Sequence, residues 1–197
     1  MPDTDTMTTA DTKPRTCTLP DADSARSQIT QIIERGEVRH YQSRYAITDR
    51  AIGALTDVLG DANPIYTDDV AARAAGHPGI VAPATSLQVW AMNRLDEQLP
   101  PSPVDRAYQI LQANGFTSVV AVNGDQTYDR YLRPEDRLHS EERVESISEL
   151  KHTGLGEGLF ITTLITFLDE ADEQVGTMRF RTLWYAPRTQ PDTITEA

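Results

Sequence analysis

Between Pro83 and Leu95 the chain is apolar at nearly every position a helix would present to its surroundings: Leu87, Val89, Trp90, Ala91, Met92 and Leu95. Pro83 suits a first helical turn, where no N–H is needed. A helix that is apolar all round, yet far shorter than the ~20 residues that span a bilayer, must be wrapped by other structure. The spacing predicts one continuous helix over residues 84–95, with Leu87 and Trp90 largely buried against an antiparallel sheet.

The remaining chain supplies both wrapping and punctuation. Ser24 caps an expected helix over 25–34 that ends at Gly36, and an extended piece follows at 43–47. Thr48 caps a second helix over 49–59, with Ile52, Leu55 and Leu59 on one face and Gly60 as terminator. A short helix over 70–75 starts from Asp68 or Asp69, and another spans 104–113. After Asn114-Gly115 the period changes to two. Strand-like runs occupy 117–132, 137–152, 158–168 and 175–186, joined by turn-like stretches such as Arg133-Pro-Glu-Asp136. In the last run Met178, Phe180, Thr182 and Trp184 share one face. Helices first and long antiparallel strands afterwards predict an α+β domain with its helices on one face of the sheet. A long apolar helix in a curved antiparallel sheet is the hot-dog arrangement.

The 197 residues include 18 basic and 30 acidic side chains, a formal net charge of −12. That balance argues against non-specific nucleic-acid binding, which needs a basic face to release counterions. No apolar run is long enough to cross a membrane, and the first residues carry no secretory signal pattern, so a cytoplasmic location is expected. Residues 1–23 and 188–197 are too polar to offset ordering entropy and are expected to be flexible tails around a folded part at 24–187. Cys17, the only cysteine, excludes an intrachain disulfide and is expected to be inert. His40, His77, His139 and His152 have no metal-ligand spacing, so neither a metal nor another cofactor is expected.

The chemistry-bearing stretch is Gly60-Asp-Ala-Asn-Pro-Ile-Tyr66. Read alone, Asp61, Asn63 and Pro64 after a helix-ending glycine are ordinary turn residues. Read with Ala71-Ala-Arg-Ala-Ala-Gly76 and Gly79-Ile-Val-Ala-Pro-Ala-Thr85, the stretch resembles the MaoC-like hydratase/dehydratase family. Asn123-Gly-Asp-Gln126, Tyr131-Leu-Arg-Pro134 and Lys151-His-Thr-Gly154 place it nearest the amino-terminal fatty-acid-synthase-type dehydratase branch. Asp125-Gln-Thr-Tyr128 and Lys151-His-Thr-Gly-Leu-Gly-Glu-Gly158 narrow the likeness further. They resemble the MaoC-domain subunits of heteromeric enoyl-CoA hydratases of actinobacterial steroid side-chain degradation.

The resemblance implies a hot-dog fold and hydration of enoyl thioesters of coenzyme A or carrier protein. It also implies a catalytic Asp-x-Asn-Pro-x-His pair and an Ala-His-Gly entry to the central helix, whose backbone N–H groups hold the thioester oxygen. This chain departs at both points. Tyr66 stands in the histidine position, and a phenol near neutral pH is a poor base. Ala82-Pro83-Ala84 replaces the helix entry, which removes a donor and adds a Cβ.

Asp61, Asn63 and Tyr66 therefore read as a degenerate motif, and Ala84, Thr85 and Trp90 as candidate substrate-binding residues. The resulting expectation is a non-catalytic subunit that shapes the substrate tunnel and the assembly of an enoyl-CoA hydratase for a bulky, steroid-like acyl-CoA. Its partner would be a second MaoC-like hot-dog subunit carrying the intact Asp/His pair. Two alternatives stand beside it: a self-sufficient hydratase or thioesterase using Asp61 with Tyr66 or His77, and an acyl-CoA-binding scaffold. Arg130, Arg133, Arg179 and Arg181 are either paired with the surplus carboxylates or available to coenzyme A phosphates.

Overall fold

The computed structural model describes residues 20–92 and 99–188. Helix α1 (Ala22–Glu34) starts before the expected Ser24 cap, because Asp21 takes that role by accepting a hydrogen bond from the Ser24 N–H at 2.9 Å. Residues 21–23 thus belong to the helix and its cap rather than to a tail. Of the other terminal residues expected to be flexible, Pro20 and Arg188 are described, whereas residues 1–19, Cys17 among them, and 189–197 lie outside the described residues. Strand β1 (Arg39–Gln42) precedes the extended piece expected at 43–47. Those later residues run alongside a neighbouring segment instead, Ser43 N–H donating to the Leu138 carbonyl and Ile47 N–H to that of Asp136, both at 2.8 Å.

Helix α2 (Asp49–Leu59) has the expected ends, a Thr48 N-cap and a left-handed Gly60 at φ 66°. Helices α3 (Asp69–Ala74) and α4 (Leu87–Trp90) are short, whereas α5 (Pro103–Ala113) carries a reciprocal capping box between Ser102 and Asp105. The four long strand runs are borne out as β2 (Ser118–Tyr128), β3 (His139–Ile147) with the small β4 (Lys151–His152), β5 (Gly156–Leu168) and β6 (Gln174–Pro187). They form an antiparallel sheet in the order β1-β3-β5-β6-β2, with β4 paired to β5.

The helix expected over residues 84–95 is not continuous. A 3₁₀ turn, Ala84–Ser86, leads into the single α-turn of α4, which stops at Ala91. Residues 93–95 lie outside the described residues. Leu87 is buried and Trp90 half-buried, but Val89 is 48% and Met92 61% exposed. Apolarity on all sides here marks surface left uncovered in the single chain, and not a wrapped helix.

The inner face of the sheet instead carries two separate cores. In the first, Ala25, Ile29 and Ile32 of α1 and Val104, Ala107 and Leu111 of α5 pack on Val144, Leu159, Ile161 and Trp184. In the second, Ile47, Ile52, Tyr66, Val81, Ala82 and Leu87 pack on Leu132, Leu138, Phe167 and Val175. No helix among the described residues is long and apolar enough to cross a membrane.

Candidate active site

The site residues come from the loops that close the second core. Gly60 ends α2, and the next N–H, that of Asp61, donates back to the Thr56 carbonyl at 3.0 Å. The Asp61 carboxylate then accepts the Asn63 N–H at 3.1 Å, and the Asn63 side-chain oxygen accepts the Ile65 N–H at 3.3 Å. These nested turns start the 3₁₀ segment Pro64–Tyr66. Asp61 and Asn63 thus perform turn chemistry, with both side chains exposed at the surface. The same turns drive Tyr66 inward until it is only 9% exposed.

Burial raises the Tyr66 phenol above its ordinary value, and the negative charge of Asp61 and the nearby Tyr131 push it the same way. Asp61, Tyr66 and Tyr131 therefore share one location, with a Tyr66 phenol that keeps its proton at neutral pH. His77 joins them from the loop after α3. Its ring meets that of Tyr131 edge-on, centroids 4.8 Å apart, while its N–H donates to the Ala72 carbonyl. Tyr131 is the member that sequence reasoning did not assign to the site. It was visible only within the Tyr131-Leu-Arg-Pro134 run, 70 positions beyond Asp61 in the chain.

The helix entry is strapped between two carbonyls. Val81 N–H donates to Ile65 at 3.2 Å and Ala82 N–H to Leu132 at 2.8 Å. Pro83 has no N–H, and the Ser86 N–H turns back onto the Pro83 carbonyl at 2.9 Å. The Ser86 hydroxyl donates to that same carbonyl and accepts the Trp90 indole N–H at 2.8 Å. The backbone N–H groups flanking Ala84 and Thr85 are thus engaged or, at Pro83, missing. Ala84 is half-buried and Thr85 exposed, and Trp90 packs onto the same core as Tyr66.

Among the arginines, Arg130 is held by Asp136 at 2.6 Å and Asp169 at 3.0 Å, and Arg179 by Glu145 at 2.9 Å. Arg181 stacks 4.6 Å above the Phe160 ring, and the Arg133 side chain is exposed. A surface cavity of about 370 Å³ runs from Pro78, Gly79 and Ile80 to Arg133 and Asp136, beside the His77 loop. Among the described residues no group of three or more His, Cys, Asp or Glu side chains is placed to hold a metal ion.

A family model described as the FAS1-like dehydratase domain region matches residues 25–178. The 3-oxo-4,17-pregnadiene-20-carboxyl-CoA hydratase alpha subunit of Mycobacterium tuberculosis is 37% identical over 167 residues, 84% of this chain and 53% of that protein. A probable enoyl-CoA hydratase alpha subunit of Thermomonospora curvata is 41% identical over 141 residues, 70% of this chain and 44% of that protein. The chain thus spans about half the length of these curated relatives. Among solved structures, a chain in the ChsH1-ChsH2 complex from Mycobacterium tuberculosis superposes with a TM-score of 0.80 at 35% identity, covering 88% of this chain and all of that one. The α+β architecture is that of the hot dog.

Proposed function

This chain belongs to the FAS1-like dehydratase family, and we propose that it works there as a non-catalytic subunit of a heteromeric MaoC-like enoyl-CoA hydratase. It shapes the substrate tunnel and the assembly, and the acyl group is bulky and steroid-like. The names of its hydratase alpha-subunit relatives support this reading, as does its likeness to a chain solved in a two-protein complex.

The observation that carries it is the buried Tyr66. Hydration needs a group that takes a proton from water, another that protonates Cα, and donors for the enolate-like oxygen. A phenol raised by burial beside Asp61 cannot take that proton at neutral pH, and Pro83 withdraws a donor at the same place. A second hot-dog subunit carrying an intact Asp/His pair supplies what is missing.

Of the two sheet edges, β2 suits that partner. It offers eleven residues with Val119, Val120 and Val122 at 51%, 39% and 49% exposure, whereas the β1 edge has four residues and polar side chains. An unpaired apolar edge of that length calls for a strand to cover it. The uncovered Val89 and Met92 add to the apolar surface available to an assembly.

Purified alone, the chain is expected to leave crotonyl-CoA unchanged, and co-purified with its partner to support hydration of a fused-ring enoyl-CoA. Turnover by the chain alone would favour the self-sufficient enzyme, for which the Asp61–Tyr66–Tyr131–His77 cluster is the supporting observation. Binding of acyl-CoA with no hydration, even in the complex, would favour the acyl-CoA-binding scaffold.

A further inference from the structure

Strand β2 is one edge of the sheet, paired to β6 on its other side, and its two halves differ in kind. Val119, Val120 and Val122 come first, all exposed. A shift of register between Ala121 and Asn123 separates them from Asn123, Asp125, Thr127 and, just past the strand end, Asp129, which are exposed too. From Thr117 to Asp129 the sequence holds these two carboxylates and no Lys, Arg or His. Among the described residues their side-chain partners are amides. Asp125 accepts the Asn123 amide at 2.9 Å and Asp129 that of Gln174 at 2.8 Å. Arg179, the register neighbour of Asp125 on β6, is bonded to Glu145 instead.

The acidic half is firmly seated. The Tyr128 hydroxyl donates to the Gln126 side-chain oxygen, and the Gln126 amide meets Met178 Sδ at 3.5 Å, with Met178 packed on the second core. A second copy does not match this edge. Full overlap of two β2 strands about a two-fold at Asn123 sets Val119 against Thr127, Val120 against Gln126 and Ala121 against Asp125, so each apolar half meets a polar one. It also gathers the carboxylates of both copies along one seam with no cation between them. The opposite edge, β1, is basic at Arg39 and His40 but only four residues long, and those side chains are engaged with the Pro100 carbonyl and Glu141.

Resting on the reading of this chain as one of two hot-dog subunits, we infer that β2 is a polarised docking edge for a different chain. The strand that covers it is apolar where it meets the valines and carries Lys or Arg where it meets Asp125 and Asp129. Pairing satisfies the free backbone groups of the edge. The valines exclude water, and the two charge pairs set the direction and register of the incoming strand. The same polarity selects the partner over a second copy, because affinity for the one is joined to mismatch with the other.

The test uses the complex with the second hot-dog subunit that co-purifies with the chain, its affinity measured by calorimetry at about 0.05 M and about 0.5 M salt. Asp125→Lys together with Asp129→Lys should weaken the complex about tenfold or more at low salt, with a smaller loss at high salt. Glu34→Lys together with Asp57→Lys, the same charge change at exposed positions of α1 and α2, should leave the affinity within about twofold. Should the reversal lower the melting temperature of the chain, Asp125→Asn with Asp129→Asn is expected to weaken the complex severalfold and flatten its salt dependence. Unchanged affinity in a complex that forms overturns the inference and leaves the hydratase-subunit reading intact. An equal loss from the α1 and α2 variant makes the effect one of net charge and also overturns it. So does a dimer of the chain alone that tightens on Asp125→Asn with Asp129→Asn, which makes a second copy the occupant. Absence of any co-purifying hot-dog subunit defeats both readings together.

Discussion

The two cores share one sheet and one face of it, yet they are built differently. The first is closed by α1 and α5, thirteen and eleven residues long, capped by Asp21 and by the Ser102–Asp105 box, with Ala25, Ile29, Ala107, Leu111 and Phe116 fully buried. The second is closed by α2 and a succession of single turns, and its covering pieces carry the degenerate motif, the buried Tyr66 phenol and the exposed Val89 and Met92. Long helices with satisfied ends hold the fold. Short turns held by side-chain oxygens bring distant loops together and leave apolar surface for another molecule. Stability is thus concentrated in the first core, and the role proposed for the chain rests on the second.

Removing the largest fully buried side chain of the first core should have the largest effect. Phe116→Ala is expected to cost about 3–5 kcal/mol in denaturant unfolding, because the ring is fully buried. Gly176→Ala is expected to cost about 1–3 kcal/mol, since the added Cβ would stand 2.7 Å from the Leu87 Cδ2 and also strike the Thr127 carbonyl. Trp90→Ala should cost about 2 kcal/mol, less than a fully buried ring, as half-burial and one bond to Ser86 are all that is lost. A Trp90 loss as large as that of Phe116 would erase the contrast between the cores.

That contrast was only partly legible in the sequence. The four strand runs were readable because alternation reports a half-buried sheet directly, and α2 because Thr48 and Gly60 are strong end signals. The break at Ala91 was not, because apolar side chains report that a surface will be covered without saying whether by the same chain. β1 was displaced because Arg39-His-Tyr-Gln42 is an edge strand with polar residues and no alternating pattern to announce it. At the site, Asp61, Asn63 and Tyr66 were visible as a local motif, whereas Tyr131 reaches them only through tertiary structure. The expectation that Trp90 is largely buried is met only in part, since the ring packs on the second core but is half-exposed, for the same reason as the helix.

The smallest expected effects are in pH dependence, and two carboxylates differ in sign. Glu142 of β3 has a folded pKa raised above its ordinary 4.5 by burial and Asp105. Its contribution to stability is present below 4.5 and is lost as pH rises through the folded value. Asp169, at the β5–β6 turn, is lowered below 3.8. Burial acts against that shift, but the Arg130 bond and the Ala171 and Glu173 N–H groups outweigh it. Its contribution is present above 3.8 and lost as pH falls through the lower folded value. Melting curves should therefore show Glu142→Gln flattening the slope above pH 4.5 and Asp169→Asn flattening it below pH 4. The reverse assignment would break the account of both groups.

The most direct test of the central claim is the turnover of Asp61→Asn in the assembled enzyme with a fused-ring enoyl-CoA. If the motif at the second core is a structural remnant and the partner performs the proton transfers, the rate stays within a few-fold of the original, whereas removing the partner's own acid or base abolishes it. A fall on the order of 10²–10⁴ for Asp61→Asn, with assembly and melting temperature unchanged, would make Asp61 a working acid or base and contradict the claim.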